Sequence, residues 1–190
     1  MRVITGSARG RRLRELEGLE TRPTTDRVKE GLFSALQFDI EGRRVLDLFA
    51  GTGQLGIEAL SRGAARCVFV DRRAEAVSCI RENLRLTGLS DRAQVVSGES
   101  MTYLKSVREK FDLIFLDPPY AAGLLEQALA HIARYDLLNP HGIIAAECPA
   151  DRVLPALAPP YGKYRTYRYG KIGLTVYHRA GGEKSEGTAP

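Results

Sequence analysis

Three cysteines in 190 residues, Cys67, Cys79 and Cys148, stand too far apart to form a CxxC pair or a Cys/His cluster. That spacing argues against a disulfide framework and a zinc site; the cysteines read as small buried hydrophobes in a reducing compartment. His131, His141 and His178 are equally scattered and read as surface or core residues rather than ligands, so no metal is expected. No apolar run approaches the roughly 20 residues of a membrane-spanning helix. The N-terminus lacks the apolar core of a secretory signal, so the chain is expected in the cytoplasm, away from membranes. What is present is ordinary for a globular protein. Hydrophobic and charged fractions of 44% and 27% exclude disordered and collagen-like classes. The length suits one domain with a substantial core, expected over residues 1–180 and acting as a monomer, followed by a small polar disordered tail over 181–190.

The net charge of +5 points weakly to a polyanionic partner. Its distribution says more. Arg2, Arg9, Arg11, Arg12 and Arg14 all precede the first acid. Lys163, Arg165, Arg168 and Lys171 are interleaved with Tyr161, Tyr164, Tyr167 and Tyr169. Cations beside stackable rings suit nucleic acid. The C-terminal set reads equally well as a solvated hairpin whose tyrosines pack inward.

Residues 1–20 predict a short basic β-hairpin turning through Gly6-Ser7-Ala8-Arg9-Gly10. After Pro23, a threonine caps a helix bearing Val28, Leu32, Phe33 and Leu36 on one face. Arg22, Thr25, Asp26 and Arg27 crowd its start. From Arg44 onward strand and helix alternate: strands at 45–49, 67–70, 93–97, 111–116 and 143–146, with helices between them. This implies an α/β fold, a parallel sheet with helices on both faces. Tyr164–Tyr169 and Ile172–His178 follow one another with no helix between, so an antiparallel addition is expected at the end.

The chain is organised around Val45-Leu46-Asp47-Leu48-Phe49-Ala50-Gly51-Thr52-Gly53-Gln54-Leu55-Gly56. It reads as strand, glycine turn and helix, the unit that sets backbone N–H groups beside a nucleotide-like ligand. A nicotinamide-binding strand is normally apolar up to its first glycine, because the turn must accept a pyrophosphate. Asp47 would repel that diphosphate and welcome a cation. S-adenosylmethionine, with a sulfonium, an ammonium and no phosphate, fits better. Parallel sheets place ligands at the carboxyl ends of their strands. That rule adds Asp71, 20 positions after Gly51 and suited to ribose hydroxyls, and Glu99, which suits an adenine amine or an ordinary helix start equally well.

Asp117-Pro118-Pro119-Tyr120 ends the fourth strand. Two prolines remove two backbone donors, leaving the Asp117 carboxylate and the Pro118 carbonyl as acceptors. Accepting both N–H groups of a planar exocyclic amine favours its pyramidal form and aims the lone pair at an electrophilic methyl. Tyr120 supplies a ring on which the base stacks.

Asp47-x-Phe49-x-Gly51-x-Gly53-x-x-Gly56 with Asp117-Pro-Pro-Tyr120 resembles the class I, Rossmann-like methyltransferases that act on base amino groups. Arg9-Gly-Arg-Arg-Leu13, Arg22-Pro-Thr-Thr-Asp-Arg-Val-Lys-Glu30 and Asp47-Leu-Phe-Ala-Gly-Thr-Gly53 together resemble one family over residues 1–179. It is the bacterial 16S rRNA guanine-N2 methyltransferase family that modifies guanine-966. The resemblance implies a seven-stranded, mostly parallel sheet with an antiparallel C-terminal strand, and 16S rRNA in the 30S subunit or its assembly intermediates as substrate. It implies Asp117, Pro118, Pro119 and Tyr120 as the catalytic corner. Cofactor contacts would come from Asp47, Phe49, Ala50, Gly51, Thr52, Gly53, Gly56, Asp71, Arg72, Glu99 and Ser100. Arg9, Arg11, Arg12, Arg22, Thr25, Asp26 and Arg27 would meet the RNA. Glu99 departs from the pattern, since such enzymes commonly carry Asp there. Asp-Pro-Pro-Tyr also serves DNA adenine-N6 and cytosine-N4 methyltransferases, but the chain has no room for a target-recognition domain. A noncatalytic RNA-binding assembly protein would have no need of intact glycines, Asp47 and Asp117. A nicotinamide oxidoreductase leaves Pro-Pro-Tyr without a role.

Overall fold

The structure, a computed structural model, describes residues 1–16, 26–119 and 123–181, with the side chains of Asp26 and Arg27 excepted. The expected tail beyond Gly181, the far end of the expected hairpin and the threonine cap lie outside the described residues.

Helix α1 (Asp26–Ala35) is followed by strand β1 (Arg44–Asp47), helix α2 (Gln54–Ser61), β2 (Arg66–Asp71), α3 (Ala74–Thr87) and β3 (Ala93–Ser97). Next come α4 (Ser100–Ser106), β4 (Phe111–Leu116), α5 (Leu124–Arg134), β5 (Leu138–Pro149), β6 (Tyr161–Tyr169) and β7 (Ile172–Arg179). Seven strands form one sheet in the order β3-β2-β1-β4-β5-β7-β6. β1 to β5 are parallel; β7 runs antiparallel to both β5 and β6. The expected α/β, Rossmann-like sheet with an antiparallel end is therefore present.

The strands are apolar on both faces because both are covered. Val45, Cys67, Phe69, Leu113, Phe115 and Ile143 pack with α1, α2 and α3 on one side. Their neighbours Leu46, Val68, Val70, Ile114, Leu116 and Ile144 pack with α4 and α5 on the other. This is the two-residue period of a strand, read twice. Strand β5 is longer than its apolar run implies. Leu138 pairs with Phe111 across a register shift, so the strand starts before Pro140, where turn-forming residues predict a loop. All three cysteines are buried and free.

Residues 1–16 form a looser hairpin than expected, closed by one bridge between Arg2 and Arg12. What fixes it is a buried polar seat on α2. Glu58, fully buried, accepts the Ile4 and Thr5 backbone N–H groups at 2.8 and 3.0 Å and the Arg62 Nε–H at 2.8 Å. Ser61 Oγ accepts from Ala8 N at 3.0 Å and donates to the Thr5 carbonyl at 2.6 Å. Lys29 of α1, also fully buried, donates to the Arg2 carbonyl at 2.6 Å and lies 3.9 Å from Glu58. Glu58→Ala would strand two backbone donors and remove a buried carboxylate 3.9 Å from the Lys29 ammonium. The expected loss is about 3–5 kcal/mol in chemical denaturation, with trypsin cutting the Arg9–Arg12 segment faster than in the wild type.

Candidate active site

The chain leaves β1 outward to β2 and β3, then returns to β4 on β1's other side, so the order in which strands are added reverses between β1 and β4. Ligands in open α/β sheets bind at such a switch point. Here the register makes a notch. Asp47 ends β1 opposite Phe69 of β2 and Phe115 of β4. Asp71 and Asp117 each lie two residues beyond those partners. β1 is thus recessed between two flanking acids, each about 8 Å from it by strand geometry.

The glycine turn fills the recess. Leu48 N–H donates to the Phe115 carbonyl at 3.3 Å and Ala50 N–H to the Val70 carbonyl at 3.0 Å, so the turn is clamped by both flanking strands. Gly51 and Gly53 take φ of +54° and +79°, a region side chains rarely tolerate. Gly56 has a different reason. A Cβ there would lie 2.3 Å from the Phe69 ring and 2.7 Å from Cys67 Sγ, so glycine lets α2 lie directly on β2.

The acids divide their contacts. Asp47 Oδ2 accepts the Gly56 N–H at 3.0 Å. Asp71 accepts the Gly51 N–H at 2.9 Å through one oxygen, and Arg73 N–H and Nε–H at 3.0 and 3.3 Å through the other. Both carboxylates thereby hold the turn, and each retains acceptor capacity. Burial pushes the Asp47 carboxyl up to about 7, with the Gly56 N–H opposing it and the charges of Asp117 and Asp71 reinforcing it. Three mutually repelling acids around one recess make a cation-seeking site. Gln54 Oε1, buried at the first residue of α2, has no hydrogen-bond partner among the described residues and adds a further unused acceptor. Asp117 is half-buried, Pro118 buried and Pro119 exposed. Tyr120 lies outside the described residues.

A family model described as Conserved hypothetical protein 95 matches residues 1–178. The chain belongs to this family. YlbH of Bacillus subtilis is 41% identical over 184 residues, 95% of this chain and 100% of that one. Ribosomal RNA small subunit methyltransferase D of Escherichia coli K12 is 33% identical over 179 residues, 94% of this chain and 90% of that one. The solved structure of yhhF from Escherichia coli superposes with a TM-score of 0.86 at 32% identity, covering 95% of this chain and 98% of its own.

Around this notch the remaining expected residues that the structure describes fall into three groups. Phe49, Ala50 and Thr52 line the turn itself. Glu99 pairs with Arg72 at 3.3 Å, both largely exposed at the mouth of β2 and β3, while Ser100 is buried and donates to the Leu48 carbonyl at 2.8 Å. Arg9, Arg11 and Arg12 are exposed on the seated hairpin, and none pairs with a carboxylate among the described residues. Arg22, Thr25 and the side chains of Asp26 and Arg27 lie outside the described residues. No group of His, Cys, Asp or Glu among the described residues could hold a metal.

One positioning residue belongs to none of these motifs. Asn83 of α3, fully buried, donates through Nδ2 to the Thr52 carbonyl at 2.9 Å and the Arg14 carbonyl at 3.1 Å, and accepts the Arg14 N–H at 2.7 Å. It ties the glycine turn to the basic hairpin. Its signal was a polar residue at helical spacing between Ile80 and Leu84 on an otherwise apolar face.

The raised Asp47 carboxyl gives a sign. The folded state keeps its proton to about pH 7, whereas the ordinary value is 3.8. Its contribution to stability is therefore complete below about pH 4 and is lost as pH rises through 7. Asp47→Asn keeps an acceptor for Gly56 and cannot ionise. By differential scanning calorimetry it should melt several degrees above wild type at pH 8, with the gap closing toward pH 4, while affinity for a cationic ligand falls at least tenfold.

Proposed function

We propose that this chain transfers a methyl group from S-adenosylmethionine to the exocyclic N2 amine of a guanine, guanine-966, in 16S rRNA. The observation that carries the reading is the notch: one recessed acid between two flanking acids, one of which continues into a proline-stiffened acceptor corner. The relatives named as small subunit rRNA methyltransferases support the substrate class, and Arg9, Arg11 and Arg12, exposed and without a carboxylate partner among the described residues, support a phosphate-bearing one.

The residues present fit the cofactor. Asp47, Asp71 and the Gln54 acceptor, unused among the described residues, favour a ligand that carries positively charged groups and hydroxyls, and the glycine turn leaves room that a Cβ would take. When bound, S-adenosylmethionine supplies a methyl group on a positively charged sulfur. The chain's own work is alignment. Asp117 Oδ and the Pro118 carbonyl accept the two N–H groups of the amine and favour its pyramidal form. Pro118 and Pro119 present no competing N–H. Tyr120 is assigned, on its place in the motif, the ring against which the turned-out base stacks. Holding the partners in line is worth roughly 7–11 kcal/mol. Such a substrate places the enzyme in the bacterial cytoplasm, where small subunits assemble, acting as a monomer of one catalytic domain.

Incubation with labelled S-adenosylmethionine and 30S subunits lacking the mark, followed by nucleoside analysis, should yield N2-methylguanosine, with duplex DNA unlabelled. Label in adenine, cytosine or DNA would sink the reading. Asp117→Ala should lower the transfer rate at least a thousandfold, a barrier increase of about 4 kcal/mol. Cofactor affinity by calorimetry should stay within about threefold, since Asp117 is assigned to the amine.

A further inference from the structure

We propose that strand β6 and its turn into β7 form a second RNA-backbone contact surface, continuous with the basic hairpin across α1. The inference rests on the RNA-methyltransferase reading above and extends it to residues that reading leaves unused.

Placement comes first. β5 runs parallel to β4, with Leu116 opposite Ala146. Farther along, Cys148 and Pro149 pair with Gly173 and Ile172 at the start of β7. The β6–β7 turn at Gly170 and Lys171 therefore sits on the same sheet edge as Asp117–Pro119. Two strand spacings, about 10 Å, separate β4 from β7, and a third reaches β6. A polynucleotide presenting one base at the notch would pass within reach of it.

The chemistry follows. Residues 161–171 hold four cations and no acid. Lys163 is spent on the Leu154 carbonyl at 2.5 Å. Arg165, Arg168 and Lys171 are exposed, and no carboxylate pairs with them among the described residues. The Arg165 guanidinium lies 5.7 Å from the Tyr164 ring and 5.8 Å from the Tyr167 ring. The register shift between Lys163 and Arg165 turns Tyr164 outward, where it stacks on His178 at 4.5 Å yet keeps 61% of its surface in water. The exposed Tyr164 ring beside the Arg165 guanidinium offers a contact to an unpaired base, and the exposed cations Arg165, Arg168 and Lys171 offer contacts to phosphates.

Helix α1 joins the two surfaces. Its Lys29 holds the hairpin through the Arg2 carbonyl, and its Gly31 lies so close under Tyr169 that a Cβ would meet that ring at 2.4 Å. Both basic sets are thus fixed to one short helix. Cations on an outermost strand also discourage sheet-to-sheet aggregation. That role predicts aggregation of the neutralised protein and no change in RNA binding, so the two are separable.

The test is the triple variant Arg165→Gln/Arg168→Gln/Lys171→Gln, with Arg168→Gln/Lys171→Gln, confined to the turn, as a milder companion should the triple fold poorly. Binding to a naked 16S rRNA fragment is followed across salt concentration, alongside the KM for 30S subunits and calorimetric affinity for S-adenosylmethionine. The triple variant should raise KM and the fragment Kd at least tenfold and flatten the log–log salt slope by about 2. Cofactor affinity should not change, and the double variant should show a smaller loss in the same direction. A Kd and salt slope within twofold of wild type would overturn the proposal. So would loss on intact particles with naked RNA unaffected, which would assign the surface to a ribosomal protein. The binding arm needs no turnover and decides the surface even if the wild type transfers no methyl to guanine.

Discussion

The site depends on β1 stopping short of its neighbours at the switch point of the sheet, by two residues against β2 and by one against β4. Had β1 run level with β2 and β4, the chain would leave the sheet flush and no recess would exist. Because it stops at Asp47, the turn must fold back inside the outline of the sheet. Only a chain with left-handed freedom at Gly51 and Gly53 can do so. The flanking strands then supply what the short one lacks: carbonyls from Val70 and Phe115 to pin the turn, and Asp71 and Asp117 as walls. Fold and site are consequences of one register.

The same economy governs the attachment of the N-terminal segment. A hairpin with a single ladder bridge has too little internal structure to hold its shape in water. Its order comes from α2, α3 and α1 through Glu58, Ser61, Asn83 and Lys29, all buried. Replacing water by charged partners in the interior is favourable only with near-complete satisfaction of donors and acceptors, and here backbone groups of the hairpin provide that satisfaction. Geometric specificity is the result. The exposed arginines keep a fixed relation to the glycine turn, with Asn83 touching both.

This explains which parts were legible in the chain of letters. Asp47, the glycines and Asp117-Pro-Pro stood out because each is a local exception, a charge in an apolar strand or prolines at a strand end. Strand–helix alternation announced the sheet for the same local reason. The roles of Asn83, Glu58 and Lys29 could not be read locally, since the hairpin groups they hold lie 27 to 69 residues away in sequence. A polar residue on an apolar helix face says that a partner exists, not where. The length of β5 was hidden likewise: Pro140 argues for a loop, and only pairing with β4 and β7 overrides it.

The roles of Asp47 and Asp71 illustrate how a scaffold and a binding site can be one object. Each carboxylate accepts a backbone N–H from the glycine turn, so neither can be removed without loosening that turn. Yet their crowding with Asp117 is unfavourable in the absence of a counter-charge, which is why burial and like charges leave Asp47 half-protonated near pH 7. A cation in the recess would relieve that repulsion and draw the proton off. The crowding of these acids is an electrostatic cost that a cationic ligand would lower, and part of such a ligand's affinity would come from relieving it.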